Sequence, residues 1–243
     1  MLPQNPPELT PKIIHTWLVN VDDVLHKIEI LNRVISKDEK EKATKFRFKK
    51  DQNIFIISRG VLRILSAYYL NMGAKNIVFK YGEYGKPEYD FYSDLKFNIS
   101  HSGDLIVLSF AKDFDIGVDI EKVKDDFDVL EIASNFFSTL EIETLKKIPK
   151  AQQVYYFYRC WTRKEAFIKA KSLGLSFPLD SFSVCISSDK KTELLETKWN
   201  NAEKDTWKLF TFSPQQNYIG AISIQSDVKA VDYFNFNDYN FNN

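Results

Sequence analysis

Cysteine, histidine and net charge are all scarce in this sequence. Of 243 residues two are cysteine, Cys160 and Cys185, and three are histidine. Two cysteines are too few for a disulfide framework and form no pair spaced for a metal ion. A reduced, cytoplasmic setting is expected. Lysine plus arginine number 33 and acidic residues 33, so the formal net charge is zero. Neither nucleic acid nor a membrane surface is then expected as the main partner. No apolar run reaches the roughly 18 residues of a membrane span. The opening Met1-Leu-Pro-Gln-Asn-Pro-Pro7 lacks the basic and apolar regions of a signal peptide. What is plentiful is core material: the chain is 44% hydrophobic and 15% aromatic, which excludes global disorder. Its length suits one large domain or two smaller ones.

Pro3, Pro6, Pro7 and Pro11 keep the lead extended. Ile13–Val19 reads as a buried strand. Ser36 to about Phe48 reads as a helix, with Ser36 and Glu39 spaced as a capping box. Ile54 to Leu70 has helical apolar spacing. Ile77–Lys80, Phe97–Ser100 and Leu105–Phe110 read as strands, with turns at Tyr84–Pro87 and at His101-Ser-Gly103. Asp115–Ile120 is expected to continue that sheet. Helices follow at Val129–Phe137, Glu141–Lys147 and Gln152–Lys171, then strands at Phe182–Ile186, Trp207–Phe212 and Tyr218–Ile224. The order repeats without any letter-for-letter repeat. It predicts an α+β fold of two similar halves, 1–115 and 116–243, each with helices on a mainly antiparallel sheet. The Asn- and aromatic-rich Asp232–Asn243 is expected to be mostly tail.

Four patterns carry candidate chemistry. In Gly117-Val-Asp-Ile-Glu121 the strand period puts Asp119 and Glu121 on one face. A hard cation such as Mg²⁺ would relieve their repulsion. In Trp161-Thr-Arg-Lys-Glu-Ala-Phe-Ile-Lys169, Trp161, Glu165 and Lys169 share one helix face. In Phe97-Asn-Ile-Ser-His-Ser-Gly103, His101 with Ser100, Ser102 and the turn at Gly103 could offer donors to an anion. Lys40, Lys42, Lys45, Arg47, Lys49, Lys50, Arg59 and Arg63 form a basic run that could hold phosphate. Taken alone, each pattern more often describes a solvated strand end, a surface ion pair, a structural histidine or a wet face.

Together and in this order, with Tyr84-Gly-Lys-Pro87 before them and Gly174-Leu-Ser-Phe-Pro-Leu-Asp-Ser-Phe182 after, they resemble something specific. From about Ser36 to Val184 the chain resembles the 4'-phosphopantetheinyl transferases of the surfactin-synthetase-activating type. The resemblance implies an active site in the cleft between the halves and coenzyme A as substrate. It implies an acyl or peptidyl carrier protein as partner, and a monomer. Asp119, Glu121 and Glu165 would hold Mg²⁺, with Mn²⁺ as a substitute. Lys86, Ser100, His101, Lys164 and Lys169 would lie along the coenzyme A phosphates. Lys42, Lys45 and Arg59 would meet the 3'-phosphate. Glu165 would be the base and Lys169 the residue that offsets charge on the leaving phosphate. Two positions depart from the family pattern: Ser172 stands where a glycine is usual, and Glu39 stands three places before Lys42 where a basic residue is usual. Two other functions would use similar residues: a different Mg²⁺-dependent phosphoryl-transfer enzyme or hydrolase, and a non-catalytic carrier-binding module.

Overall fold

Ile13–Asn20, largely β-branched and aromatic, forms strand β1 inside a four-stranded sheet. The structure is a computed structural model and describes residues 6–174, 176–190 and 192–238. Helices α1 (Val21–Val24), α2 (Ile28–Val34) and α3 (Lys37–Ala43) lead into the long α4 (Lys49–Leu70). A small hairpin, β2 (Phe79–Tyr81) and β3 (Pro87–Tyr89), precedes a long one, β4 (Leu95–Ser102) and β5 (Leu105–Lys112). Strand β6 (Ile116–Lys122) opens the second half, followed by α5 (Val129–Phe136), α6 (Thr139–Lys147) and the long α7 (Lys150–Ala170). Then come the pair β7 (Phe182–Val184) and β8 (Leu194–Thr197), and the strands β9 (Lys208–Phe212), β10 (Tyr218–Ile224) and β11 (Ala230–Asn235). The main sheets run β11-β1-β5-β4 and β6-β10-β9. The fold is α+β with two similar halves.

The likeness extends to side chains. Ser36 caps α3 while Glu39 reaches back to the cap's backbone N–H, and Ser138 and Glu141 do the same for α6. Both glutamates are buried, and a buried carboxylate needs a partner. Each takes a cation from the next long helix. Arg63 of α4 donates to Glu39 at 2.7 Å, and the Lys164 ammonium of α7 lies 2.8 Å from Glu141. Each cation then binds carbonyls of the chain that leaves its helix. For Arg63 these are Ala74 and Ile77, and for Lys164 they are Leu179 and Phe182.

Two expectations are corrected. Asp115–Ile120 does not continue the first sheet; β6 belongs to the second and pairs antiparallel with β10. It still lies beside β4, joined by side chains instead of a backbone ladder. Asn98 Oδ1 accepts from Val118 N at 2.9 Å, Ser100 Oγ from Ile120 N at 3.4 Å and Ser102 Oγ from Lys122 N at 3.0 Å. Alternate residues of a strand share a face, so these three answer N–H groups that an edge strand leaves open. The second correction concerns the C-terminal segment. Ala230–Asn235 is a strand parallel to β1, registered from Ile13 with Ala230 to Leu18 with Asn235. It returns the chain from the second half to the first sheet. Phe234 stacks on Trp17 with ring centroids 4.9 Å apart, and Phe236 is fully buried. The rest of the expected tail, 239–243, lies outside the described residues.

The inner faces of the two sheets share a core that includes Ile14, Val107, Val118, Ile120 and Ile222. Helix α7 packs directly on β6. A Cβ on Gly117 would sit 2.0 Å from the Ala166 carbonyl, so only glycine allows that approach.

Candidate active site

Strand β6 and helix α7 deliver the acidic residues. Val118 and Ile120 are buried in the inter-sheet core, which turns Asp119 and Glu121 to the opposite face. Because α7 rides on Gly117, Glu165 and Lys169, one turn apart, arrive at that face. Lys169 Nζ donates to Asp119 Oδ1 at 2.6 Å and to Ser100 Oγ at 3.1 Å. The Ser100 hydroxyl donates to the same Asp119 oxygen at 3.0 Å, and the Ser102 hydroxyl to Glu121 Oε2 at 2.7 Å.

Asp119 Oδ2 and Glu165 Oε1 are buried without a hydrogen-bond partner. Leaving such atoms unpaired costs stability. Burial pushes the Glu165 carboxyl up to about 7; Asp119 and Glu121 add to the rise while Lys169 opposes it. Burial, then Asp119, also raises Glu121. Crowded carboxylates of this kind hold either a proton or a cation. Among the described residues no three His, Cys, Asp or Glu side chains form a ready metal cage. The donors are nonetheless all hard oxygens. They suit Mg²⁺, which takes one or two carboxylates and completes its shell with phosphate and water.

A cavity of about 410 Å³ lies beside this cluster, with Lys169, His101, Lys86 and Arg59 on its wall. The protein packed around His101, and then Lys169, lower its pKa. Arg59 is only 9% exposed, and its Nη1 is buried without an acceptor. Its guanidinium lies 5.5 Å from the ring centres of both Phe55 and Tyr81, and Lys42 Nζ lies 5.6 and 5.9 Å from the same rings. Two cations thus share one aromatic pair.

A family model described as 4'-phosphopantetheinyl transferase superfamily matches residues 115–223, and one described as 4'-phosphopantetheinyl transferase, N-terminal, matches residues 22–112. The 4'-phosphopantetheinyl transferase Sfp of Bacillus subtilis is 39% identical over 160 residues, covering 66% of this chain and 70% of that protein. The chain belongs to the 4'-phosphopantetheinyl transferases. The Nostoc transferase HetI is 29% identical over 224 residues, covering 90% of this chain and 91% of its own. The mouse L-aminoadipate-semialdehyde dehydrogenase-phosphopantetheinyl transferase is 31% identical over 183 residues, covering 71% and 58%.

In this transferase Asp119, Glu121, Glu165, Lys169 and Ser100 come together, and Arg59, Lys86 and His101 join Lys169 around the cavity. Lys42 stands beside Arg59, off the wall; Lys45 is exposed and also off it. The expectation for Lys164 is corrected. It is fully buried, and Glu141, Leu179 O and Phe182 O take all three donors of its ammonium. Neighbours on a helix point about 100° apart, so Lys164 turns into the core where Glu165 turns to β6. Glu39, bound to Arg63, faces inward as well. Lys86 Nζ donates to Lys169 O at 2.7 Å, Ser172 Oγ at 3.2 Å and Ile116 O at 3.4 Å. It thereby serves a carbonyl at the C-terminal end of α7, and burial lowers its pKa. Ser172 adopts φ of 56°, so the loop keeps the left-handed turn that glycine would take. Asn98 has no role in the sequence reading of the Phe97–Gly103 motif, and Ser102, expected to offer a donor to an anion, gives its proton to Glu121 instead. Their alternation with Ser100 was the available signal.

Proposed function

We propose that the chain moves the 4'-phosphopantetheine arm of coenzyme A onto a serine of an acyl or peptidyl carrier protein and releases 3',5'-ADP. The observation that carries this is the convergence of Asp119, Glu121, Glu165 and Lys169 beside a cavity edged with cations. Phosphoryl transfer asks the protein mainly for positioning and charge neutralisation. Asp119, Glu121 and Glu165 are the residues that would hold Mg²⁺, which when bound supplies charge neutralisation at the pyrophosphate. The carrier serine oxygen attacks the phosphorus bearing the pantetheine arm, and the bond to the 3',5'-ADP oxygen breaks. Glu165, with its raised pKa, takes the serine proton directly or through water. Lys169 offsets charge on the departing phosphate. His101 offers a donor to the pyrophosphate, while the Ser100 hydroxyl, whose one proton goes to Asp119, steadies that carboxylate. The unpaired Arg59 nitrogen, with Lys42 beside it, supports a seat for the 3'-phosphate.

The test is intact-mass spectrometry of apo carrier proteins from fatty-acid, polyketide and peptide synthesis, incubated with the chain, coenzyme A and Mg²⁺. One carrier or more should gain a single phosphopantetheine. No gain on any of them sinks the reading.

A further inference from the structure

We propose that Ser102 is a positioning residue that sets the aim of Glu121. This rests on the reading of Glu121 as a carboxylate that holds the metal ion. Ser102 and Ser100 on β4 face Glu121 and Asp119 on β6, pair against pair. A serine hydroxyl rotates freely unless its neighbours decide its proton. At Ser102 they do. The Lys122 backbone N–H donates into Oγ at 3.0 Å, so the hydroxyl proton goes to Glu121 Oε2 at 2.7 Å. That length suits a hydrogen bond to a charged acceptor.

The two serines do unequal work. Asp119 Oδ1 receives both Ser100 and Lys169, so either can hold it. Ser102 is the sole hydrogen-bond donor to the Glu121 carboxylate among the described residues. Glutamate has one more rotatable bond than aspartate, and its partly open side chain would otherwise sample several rotamers. Anchored through its oxygen to the β6 backbone, Ser102 ties the Glu121 carboxylate to the strand that carries it. Second partners of this kind orient metal ligands, and their loss costs about 10–100-fold in metal affinity.

Mn²⁺ titrations of the full chain, followed by electron paramagnetic resonance, test this. Ser102→Ala should weaken Mn²⁺ binding about ten-fold, while Ser102→Thr, which keeps the hydroxyl, stays within about two-fold of wild type. On a Glu121→Gln background, Ser102→Ala should add nothing, because the group it acts through is gone. Equal losses on both backgrounds would make Ser102 merely structural and overturn the proposal. So would a Ser102→Ala variant that binds like wild type while Glu121→Gln binds weakly. Should the alanine variant not fold, a folded Ser102→Thr that loses about ten-fold overturns it instead. If Glu121→Gln itself binds Mn²⁺ as tightly as wild type, the underlying reading of Glu121 fails and this inference falls with it.

Discussion

Glu165 is 6% exposed and shares its surroundings with two other carboxylates. Folding raises its pKa from 4.5 to about 7, so the native chain binds that proton more tightly than the unfolded one. Its contribution to stability is therefore full below the unfolded value and is lost as pH rises to about 7. Glu165→Gln removes the cost of the buried charge. Without divalent ions at pH 8, the variant should exceed wild type by on the order of 1–3 kcal/mol. At pH 4 the gain should vanish; with Mg²⁺ present at pH 8, the variant's turnover should fall at least about 100-fold. Thermal melts at both pH values, with a carrier-loading assay, check this; a variant less stable than wild type at pH 8 contradicts it. Ser172 pays a smaller penalty at its left-handed φ. Ser172→Gly should gain about 0.5–1 kcal/mol, or roughly 1–4 °C in Tm, despite losing the Lys86 contact. A lower Tm would mean that the Lys86 bond outweighs the strain.

Among the elements, the long helix α7 shows most clearly what local pattern can and cannot reveal. Its existence and its Trp161–Glu165–Lys169 face were legible from spacing. Which lysine serves the site was not, because Lys164 and Lys169 look alike until β6 and α6 are packed on opposite sides. Lys164→Met should cost about 3–5 kcal/mol by stranding Glu141 without its cation. The fraction that folds should keep wild-type KM for coenzyme A. Denaturant melts with steady-state kinetics measure both, and a large KM rise in folded protein would return Lys164 to the phosphates. The capping box of Ser36 and Glu39 was legible, since it lies within four residues. Its counterpart at Ser138 and Glu141 was present but unread. The short α2 went unread too: helices of that length draw stability from packing instead of propensity, here from Leu31 against α4.

At the scale of the molecule the chain closes on its own beginning. With β11 parallel to β1, Phe234 on Trp17 and Phe236 in the core, ending the chain after Lys229 should cost more than about 4 kcal/mol or abolish cooperative folding, since each lost core phenylalanine is worth roughly 3–5 kcal/mol. Circular dichroism during a urea titration checks this, and an unchanged midpoint would restore the reading of a tail. The alternation of Phe and Asn across residues 234–237 had the period of a strand. Composition outweighed it because no partner strand is adjacent in sequence. Sequence alone determined the α+β class, the order of the two halves and the D-x-E and W-T-R-K-E-A-F-I-K patterns. Those depend on neighbours within one turn or one strand pair, where spacing dictates which side chains share a face. Tertiary structure alone decided that β6 leaves the first sheet, that Asn98, Ser100 and Ser102 join it to β4, and that Lys169 meets Asp119 while Lys164 meets Glu141. Those contacts bridge residues far apart in the chain. Their energy comes from burying polar groups that must find partners, and no local periodicity records where the partner will be.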